Sequence, residues 1–319
     1  DRVAEAAKHA ENAIAVDPGC AEAWLNLASC RERQGQPAQA LSCLDTAVGL
    51  APRMLNAHIA RAALHETAFS HAAALEDWTQ ATEIDPACCE AWIRRGHLLY
   101  GMRRLHEALS CFERALEADA SLATAWLNAA TVHLDLGDTA AARRYCDRAL
   151  ELAPSWTQAW SLAATAAFAA GRYDEAVERY TRALALDPNS GGTYYNRANA
   201  LRELRRFEDA LSDYARGDAL APDTPYGFGQ YVHTKLQLCD WTDLDGLQQR
   251  IAAAIDAGRP CAVPFAVLAL PLSGPQLRAC ARTYVDSKFG PGLAASAPAM
   301  PLPSFRAERR LKIGYLSAD

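Results

Sequence analysis

Lysine is nearly absent: the 319-residue chain has only Lys8, Lys235, Lys288 and Lys312, and its formal net charge is −6. The basic footprint of a nucleic-acid binder is therefore missing, and no nucleic-acid partner is expected. Long apolar runs are missing too. The longest, from Cys261 to Leu272, is interrupted by Pro264 and Pro271 and is too short to span a bilayer. No basic segment followed by an apolar stretch opens the chain, so no secretory signal is read, and a cytoplasmic protein without a membrane partner is expected. The first residue is Asp1, not Met, and the chain is expected to be a piece of something longer. None of the motifs HExxH, GxSxG, GxxxxGK[ST] or GxGxxG occurs. The 10 cysteines contain no CxxC pair, which removes the usual short spacing of a zinc site. Without a secretory signal they read as small thiols in a reducing compartment rather than as a disulfide framework.

What is present is a folding composition, 50% hydrophobic and 22% charged, with a strict internal period. Pro18, Pro52, Pro86, Pro154, Pro188 and Pro222 share one frame of 34 residues, with Ala120 at the missing step. With proline set at position 32 of the repeat, position 4 reads Trp24, His58, Trp92, Trp126, Trp160, Tyr194. Position 8 is always small, and position 20 is alanine in every repeat: Ala40, Ala74, Ala108, Ala142, Ala176, Ala210. Position 24 is apolar, from Leu44 and Trp78 to Tyr214, and position 27 is alanine until Gly217. This pattern resembles the tetratricopeptide repeat (TPR), which has an aromatic at 4, small residues at 8, 20 and 27, an aromatic at 24 and proline at 32.

The spacing of apolar residues splits each repeat into two amphipathic helices, exemplified by residues 158–170 and 173–186. Gly35, Gly137 and Gly171 stand where a helix C-terminus takes a positive φ. Phe69, Arg103 and Arg205 occupy that position in other repeats, and those turns are expected to close differently. The fold read from this is all-α: a right-handed superhelical solenoid of antiparallel helix pairs, a helical connector and a short terminal β-strand. The segments are a partial repeat at 1–20, with Ala6 and Ala13 at positions 20 and 27, and repeats at 21–54, 55–88, 89–122, 123–156, 157–190 and 191–224. A connector follows at 225–289, a Pro/Ala-rich linker at 290–306 and a strand segment at 307–319. Pro225, Gly227 and Gly229 break the helical pattern before connector helices at 230–239, 243–257 and 275–288.

Stacked repeats offer an extended binding surface lined by the first helices. Position 6 carries Asn26, Asn128 and Asn196, with Ala60, Arg94 and Leu162 in the other repeats. An asparagine both donates to and accepts from a peptide backbone, so a row of them suits an extended chain; the same residues also read as solvated polar positions. Position 2, one turn earlier, includes Glu22 and Glu90. Glu90 and Arg94 are spaced to pair with each other, and unpaired glutamates would favour basic or hydroxyl-rich segments. A protein or peptide partner is therefore expected, and a homo-oligomer is compatible with the sequence. A lysine-based clamp for a C-terminal carboxylate is not expected, because no lysine lies within 21–224. His58 reads as a packing residue, and no catalytic or metal-binding set is read within the repeats.

Three further elements follow the array in order: Leu238-Cys239-Asp240-Trp241-Thr242-Asp243, Val263-Pro264-Phe265-Ala266-Val267-Leu268 and Leu311-Lys312-Ile313-Gly314-Tyr315-Leu316-Ser317-Ala318-Asp319. Together they resemble the post-TPR "CDW" and "PF" elements and the first catalytic strand of protein O-GlcNAc transferases and their SPINDLY-like relatives, glycosyltransferase family 41, of bacterial type. The resemblance implies a metal-independent transfer to Ser or Thr from a nucleotide sugar, UDP-GlcNAc or GDP-fucose, with acceptors recruited by the TPR groove. It also implies that the catalytic histidine and nucleotide-binding loops lie beyond Asp319, so no catalytic residue and no cofactor site is assigned within this chain. The other reading is a non-enzymatic TPR scaffold.

Overall fold

A computed structural model describes residues 2–290. The linker and strand read at 291–319 lie outside the described residues. The chain divides into two units, Asp1–Leu220 and Ala221–Asp319.

The first unit is thirteen helices in series. α1 (Arg2–Val16) is followed by six pairs: α2 (Ala21–Arg33) and α3 (Pro37–Leu50), α4 (Leu55–Thr67) and α5 (His71–Ile84), α6 (Cys89–Gly101) and α7 (Leu105–Ala118), α8 (Ala123–Asp135) and α9 (Thr139–Leu152), α10 (Thr157–Ala169) and α11 (Tyr173–Leu186), α12 (Gly191–Glu203) and α13 (Phe207–Leu220). Every first helix has 13 residues and every second helix 14. Each helix packs on its neighbours in sequence, as expected where no repeat buries its apolar face alone.

Small residues set the helix spacing. All six alanines at position 20 are fully buried, so any added side-chain volume would push the paired helices apart. In α1, by contrast, Ala6 and Ala13 are exposed, and Ala7 and Ala10 pack against Leu27 and Ala28 of α2. Two glycines mark where a neighbour has grown. A Cβ on Gly96 would lie 2.6 Å from Phe112, the ring at position 24 of the same repeat. A Cβ on Gly217 would lie 3.1 Å from the ring of Tyr195, which stands where other repeats carry Leu, Ile or Ser.

The position-4 aromatics fasten one repeat to the turn before it. The indole N–H groups of Trp24, Trp92, Trp126 and Trp160 donate to the carbonyls of Pro18, Pro86, Ala120 and Pro154 at 3.1, 2.9, 2.9 and 2.8 Å. His58 does the same through Nε2 to Pro52 at 3.0 Å. The turn without a proline is held by Asp119, whose Oδ1 accepts from the Ser121 backbone N–H at 2.9 Å and its hydroxyl at 2.6 Å. Asp17, Asp85 and Asp187 accept similarly from the backbone two residues on, at 2.9, 3.0 and 3.0 Å.

The turns within the pairs correct one expectation. All six close in the same way, whether or not glycine is present. Gly35, Gly137 and Gly171 have φ of 74°, 82° and 72°, and Phe69, Arg103 and Arg205 have φ of 56°, 60° and 59°. In each repeat the next residue's N–H reaches back to the helix: Gln36 to Arg31, Ser70 to His65, Arg104 to Leu99, Asp138 to His133, Arg172 to Ala167 and Arg206 to Leu201, all at 2.8–2.9 Å. Packing of the pair dictates the turn. The left-handed conformation of a residue with a Cβ, about 1–2 kcal/mol, is tolerated.

The second unit holds α14 (Gly227–Gln237), α15 (Leu244–Asp256), a 3₁₀ turn (Pro264–Val267) and α16 (Gly274–Phe289) around a core that includes Phe228, Val232, Ile251, Ile255, Val267 and Cys280. Gly227 and Gly229 were expected to break the helix, yet both lie inside α14. Gly229 is there for close approach: its N–H donates to the Cys261 carbonyl at 2.9 Å, and a Cβ would lie 2.3 Å from that of Ala262. α16 opens with a capping box between Ser273 and Gln276.

Candidate functional site

Positions 2, 6 and 9 of each first helix share a face, because residues three and four apart stack along a helix. Hydrogen bonds between successive first helices show that these faces adjoin. Arg94 Nη1 lies 3.3 Å from Glu66 Oε2, in the preceding repeat. The Asn128 amide lies 2.8 Å from His97 Nε2. Asp135 accepts from the Tyr100 hydroxyl at 2.9 Å and from Arg103 at 2.8 Å.

These contacts sort the residues singled out from the sequence. Arg94 does not pair with Glu90, as its spacing had led us to expect; it turns to Glu66 across the repeat boundary. Glu90 is exposed and has no ion-pair partner among the described residues. Glu22 is exposed and meets only the Cys20 thiol, at 3.7 Å. Asn26 and Asn196 are exposed, whereas Asn128 is half-buried against His97. No hydrogen bond or ion pair joins any two of these six residues among the described ones. Sequence reading missed Glu66 and His97 because they belong to the previous repeat. The signal was a spacing somewhat shorter than the 34-residue period: 28 for Glu66 and Arg94, 31 for His97 and Asn128.

Between α4 and α5 of the second repeat lies a buried charge network. Asp77 accepts from Arg61 Nε at 2.9 Å and Nη2 at 2.7 Å, and faces His58 Nδ1 at 2.9 Å. In the sixth repeat the equivalent pair is Arg197 and Asp213, at 2.6 and 2.7 Å. In both, the hydrogen bonds that the guanidinium donates to the carboxylate hold its proton more tightly than usual. Burial pushes the Cys146 thiol up to about 12 and Cys261 to about 11, so neither offers a thiolate at neutral pH. Among the described residues no group of three His, Cys, Asp or Glu side chains is placed to hold a metal ion. No described helix is long and apolar enough to cross a membrane.

In the second unit, the Cys239–Asp240–Trp241 element is a stapled turn. Lys235, only 6% exposed, donates from Nζ to Asp240 Oδ2 at 2.6 Å and to Thr242 Oγ1 at 2.9 Å. These bonds, with those from Thr242, hold the Asp240 carboxyl down at about 2. Cys239 and Asp243 flank the turn in left-handed conformations, φ 54° and 55°. Trp241 is exposed, and so is Phe265, edge-on to His233 at 5.9 Å.

Residues 1–52 and 93–155 match the TPR_16 tetratricopeptide-repeat family model, and residues 165–204 match the TPR_11 repeat model. No curated protein matches the chain. Solved structures of similar fold include YrrB, described as a TPR protein with an unusual peptide-binding site, at 23% identity and TM-score 0.50, covering 56% of this chain and 93% of that one. PilW, described as a widely conserved type IV pilus biogenesis factor, has 22% identity and TM-score 0.54, covering 64% and 94%. In the Cut9–Hcn1 hetero-tetramer of the APC/C the match has 14% identity and TM-score 0.54, covering 88% of this chain and 52% of that one. At these identities the likeness speaks for the fold. The helix pairs, their 34-residue period and these matches define a protein of the repeat-solenoid class. Its repeats are tetratricopeptide repeats.

Proposed function

We propose that the first-helix face of the array docks a protein or peptide segment, and that the array is the acceptor-recruiting region of a cytoplasmic, O-GlcNAc-transferase-like protein O-glycosyltransferase. The observation that supports docking is the division of the polar residues on this face. Arg94 and Asn128 brace neighbouring repeats, while Glu22, Asn26, Glu90 and Asn196 stay exposed and have no strong internal partner. The glycosyltransferase reading draws on the order of the three sequence elements behind the repeats. The donor, UDP-GlcNAc or GDP-fucose, is then handled without a metal by a catalytic portion beyond Asp319.

The test is to express the longest reading frame containing this chain, with and without residues 21–224. Each protein is incubated with UDP-GlcNAc or GDP-fucose, and nucleotide release and transfer to lysate proteins are measured. We expect transfer that falls when the array is deleted. Peptide capture by the chain, with no donor consumed by the longer protein, would replace this reading with that of a non-enzymatic scaffold. The scaffold reading is favoured by the fact that the family matches extend only over repeats.

A further inference from the structure

The rings at position 4 are covered differently along the array. In the third repeat the guanidinium groups of Arg95 and Arg114 lie 5.5 and 5.7 Å from the centre of the Trp92 ring. In the fourth, Tyr145 packs on Trp126 with ring centroids 5.1 Å apart. In the sixth, Arg197 lies 5.6 Å from the centre of the Tyr194 ring. In the fifth, among the described residues, no ring or cation lies on Trp160 at such a distance. Two residues account for this. Position 7 is Ala163 where other repeats carry Arg95 and Arg197, and position 23 is Arg179 where the fourth carries Tyr145. Arg179 is held by Asp147 at 2.7 Å and Glu175 at 2.9 Å. What remains is a groove of about 940 Å³ between α9 and α11, lined in part by Leu150, Trp160 and Ala185. The same groove one repeat on, between α11 and α13, contains Arg197 and is about 280 Å³. Equivalent positions line the two: Asp147 and Thr181 at 25, Glu175 and Asp209 at 19, Glu178 and Ser212 at 22.

We infer that the groove beside Trp160 binds a tyrosine side chain of a protein partner. The half-buried indole, with Leu150 and Ala185, suits the body of an aromatic ring. The charged groups around it carry both signs, Glu151 and Glu178 against Arg179 and Arg182. A full charge of either sign would meet its like there, whereas a phenol hydroxyl donates to a carboxylate or accepts from a guanidinium. The fourth repeat holds the same arrangement within the chain. Tyr145 lies on Trp126 and its hydroxyl is 3.4 Å from Glu113, whose position in the next repeat is that of Asp147. Arg182, exposed and without an ion-pair partner among the described residues, stands at the rim to cover the other face of the ring. The groove is built by second helices, so it stands whether or not the first-helix face docks a segment.

The test is NMR of the indole N–H groups of the full chain during titration with N-acetyltyrosinamide, N-acetylleucinamide and N-acetylargininamide. The tyrosine amide should shift the Trp160 signal to saturation and bind about fivefold more tightly than the other two. Trp126, already covered by Tyr145, should stay unmoved in the same spectra. Arg179→Tyr, which builds the fourth repeat's arrangement into the fifth, should abolish the shift. Should that variant fail to fold, the comparison of Trp160 with Trp126 in the unaltered chain decides. The inference is overturned by an absence of saturable shift at Trp160, by equal binding of the three amides, or by Trp126 moving as much as Trp160. A folded Arg179→Tyr variant that binds the tyrosine amide as before would overturn it too.

Discussion

Replacing Asp77 with asparagine should unlock the second repeat. Asp77 is 2% exposed and carries two bonds from Arg61 and one contact with His58. His58 Nε2 lies 3.0 Å from the Pro52 carbonyl, and Nδ1 lies 2.9 Å from the carboxylate. Asparagine keeps the shape but removes the charge, and it puts an N–H₂ group in place of one of the two acceptor oxygens. Breaking a buried ion pair by altering one partner costs about 3–5 kcal/mol. The Arg61 side chain keeps 20% of its exposure, which places the loss near the low end, about 3 kcal/mol. A coupled array does not unfold as one two-state unit, so the loss should be read locally. Hydrogen exchange in α4 and α5 should lose protection about a hundredfold, with α10 and α11 unchanged. Asp213→Asn, which lacks a histidine partner, should cost less. The third repeat supplies a contrast: Cys111 stands at the sequence position of the carboxylate, and Arg95 bonds Thr82 at 3.1 Å and lies over Trp92. A loss under about 1 kcal/mol for Asp77→Asn would mean that Arg61 finds equivalent substitutes, and the network argument would fail.

Phe69→Gly should raise the melting temperature, because relief of about 1–2 kcal/mol of left-handed strain outweighs about 0.5–1 kcal/mol of added chain entropy; a lower value would show that the edge contact with His71 dominates. Gly96→Ala should cost about 1–3 kcal/mol by driving a methyl into Phe112, and Phe112→Leu should rescue it in chemical denaturation. In timed iodoacetamide labelling read by mass spectrometry, exposed Cys239 should react first, half-buried Cys261 slowly, and buried Cys146 only after unfolding. The Asp240 carboxyl should titrate near 2 by NMR and move upward in Lys235→Met. Because its folded value is depressed, its stabilisation is complete above the ordinary carboxylate range and is lost as pH falls towards 2.

The helix pairs were legible because each repeat restates the same constraints. Six prolines fix the frame, and six alanines at position 20 mark the close crossings. Two features were hidden because a local rule was outvoted. Phe69, Arg103 and Arg205 lack glycine's freedom, yet they take the same positive φ because the paired helices leave one path for the chain. Gly229 reads as a helix breaker, yet it sits inside α14 because a loop passes within van der Waals contact. The candidate site was legible in its residue types but not in its pairing. Arg94 had a local partner in Glu90, four residues away, and took a distant one in Glu66. The choice depends on how adjacent repeats stack, which no single helix encodes.

The same distinction bears on the connector. Asp240 binds Lys235 and Thr242, and Lys235 is otherwise a buried charge without a carboxylate, so these residues are required by the turn itself. Gly229 and the buried Val267 are likewise accounted for by packing. Trp241 and Phe265 are not: they are 61% and 73% exposed, and the core would close without them. Large apolar groups held at the surface by a rigid staple and a 3₁₀ turn are what a fold alone does not call for. Within these elements, then, Asp240 and Lys235 speak for how the connector folds. The exposed rings are where selection for something other than folding can act.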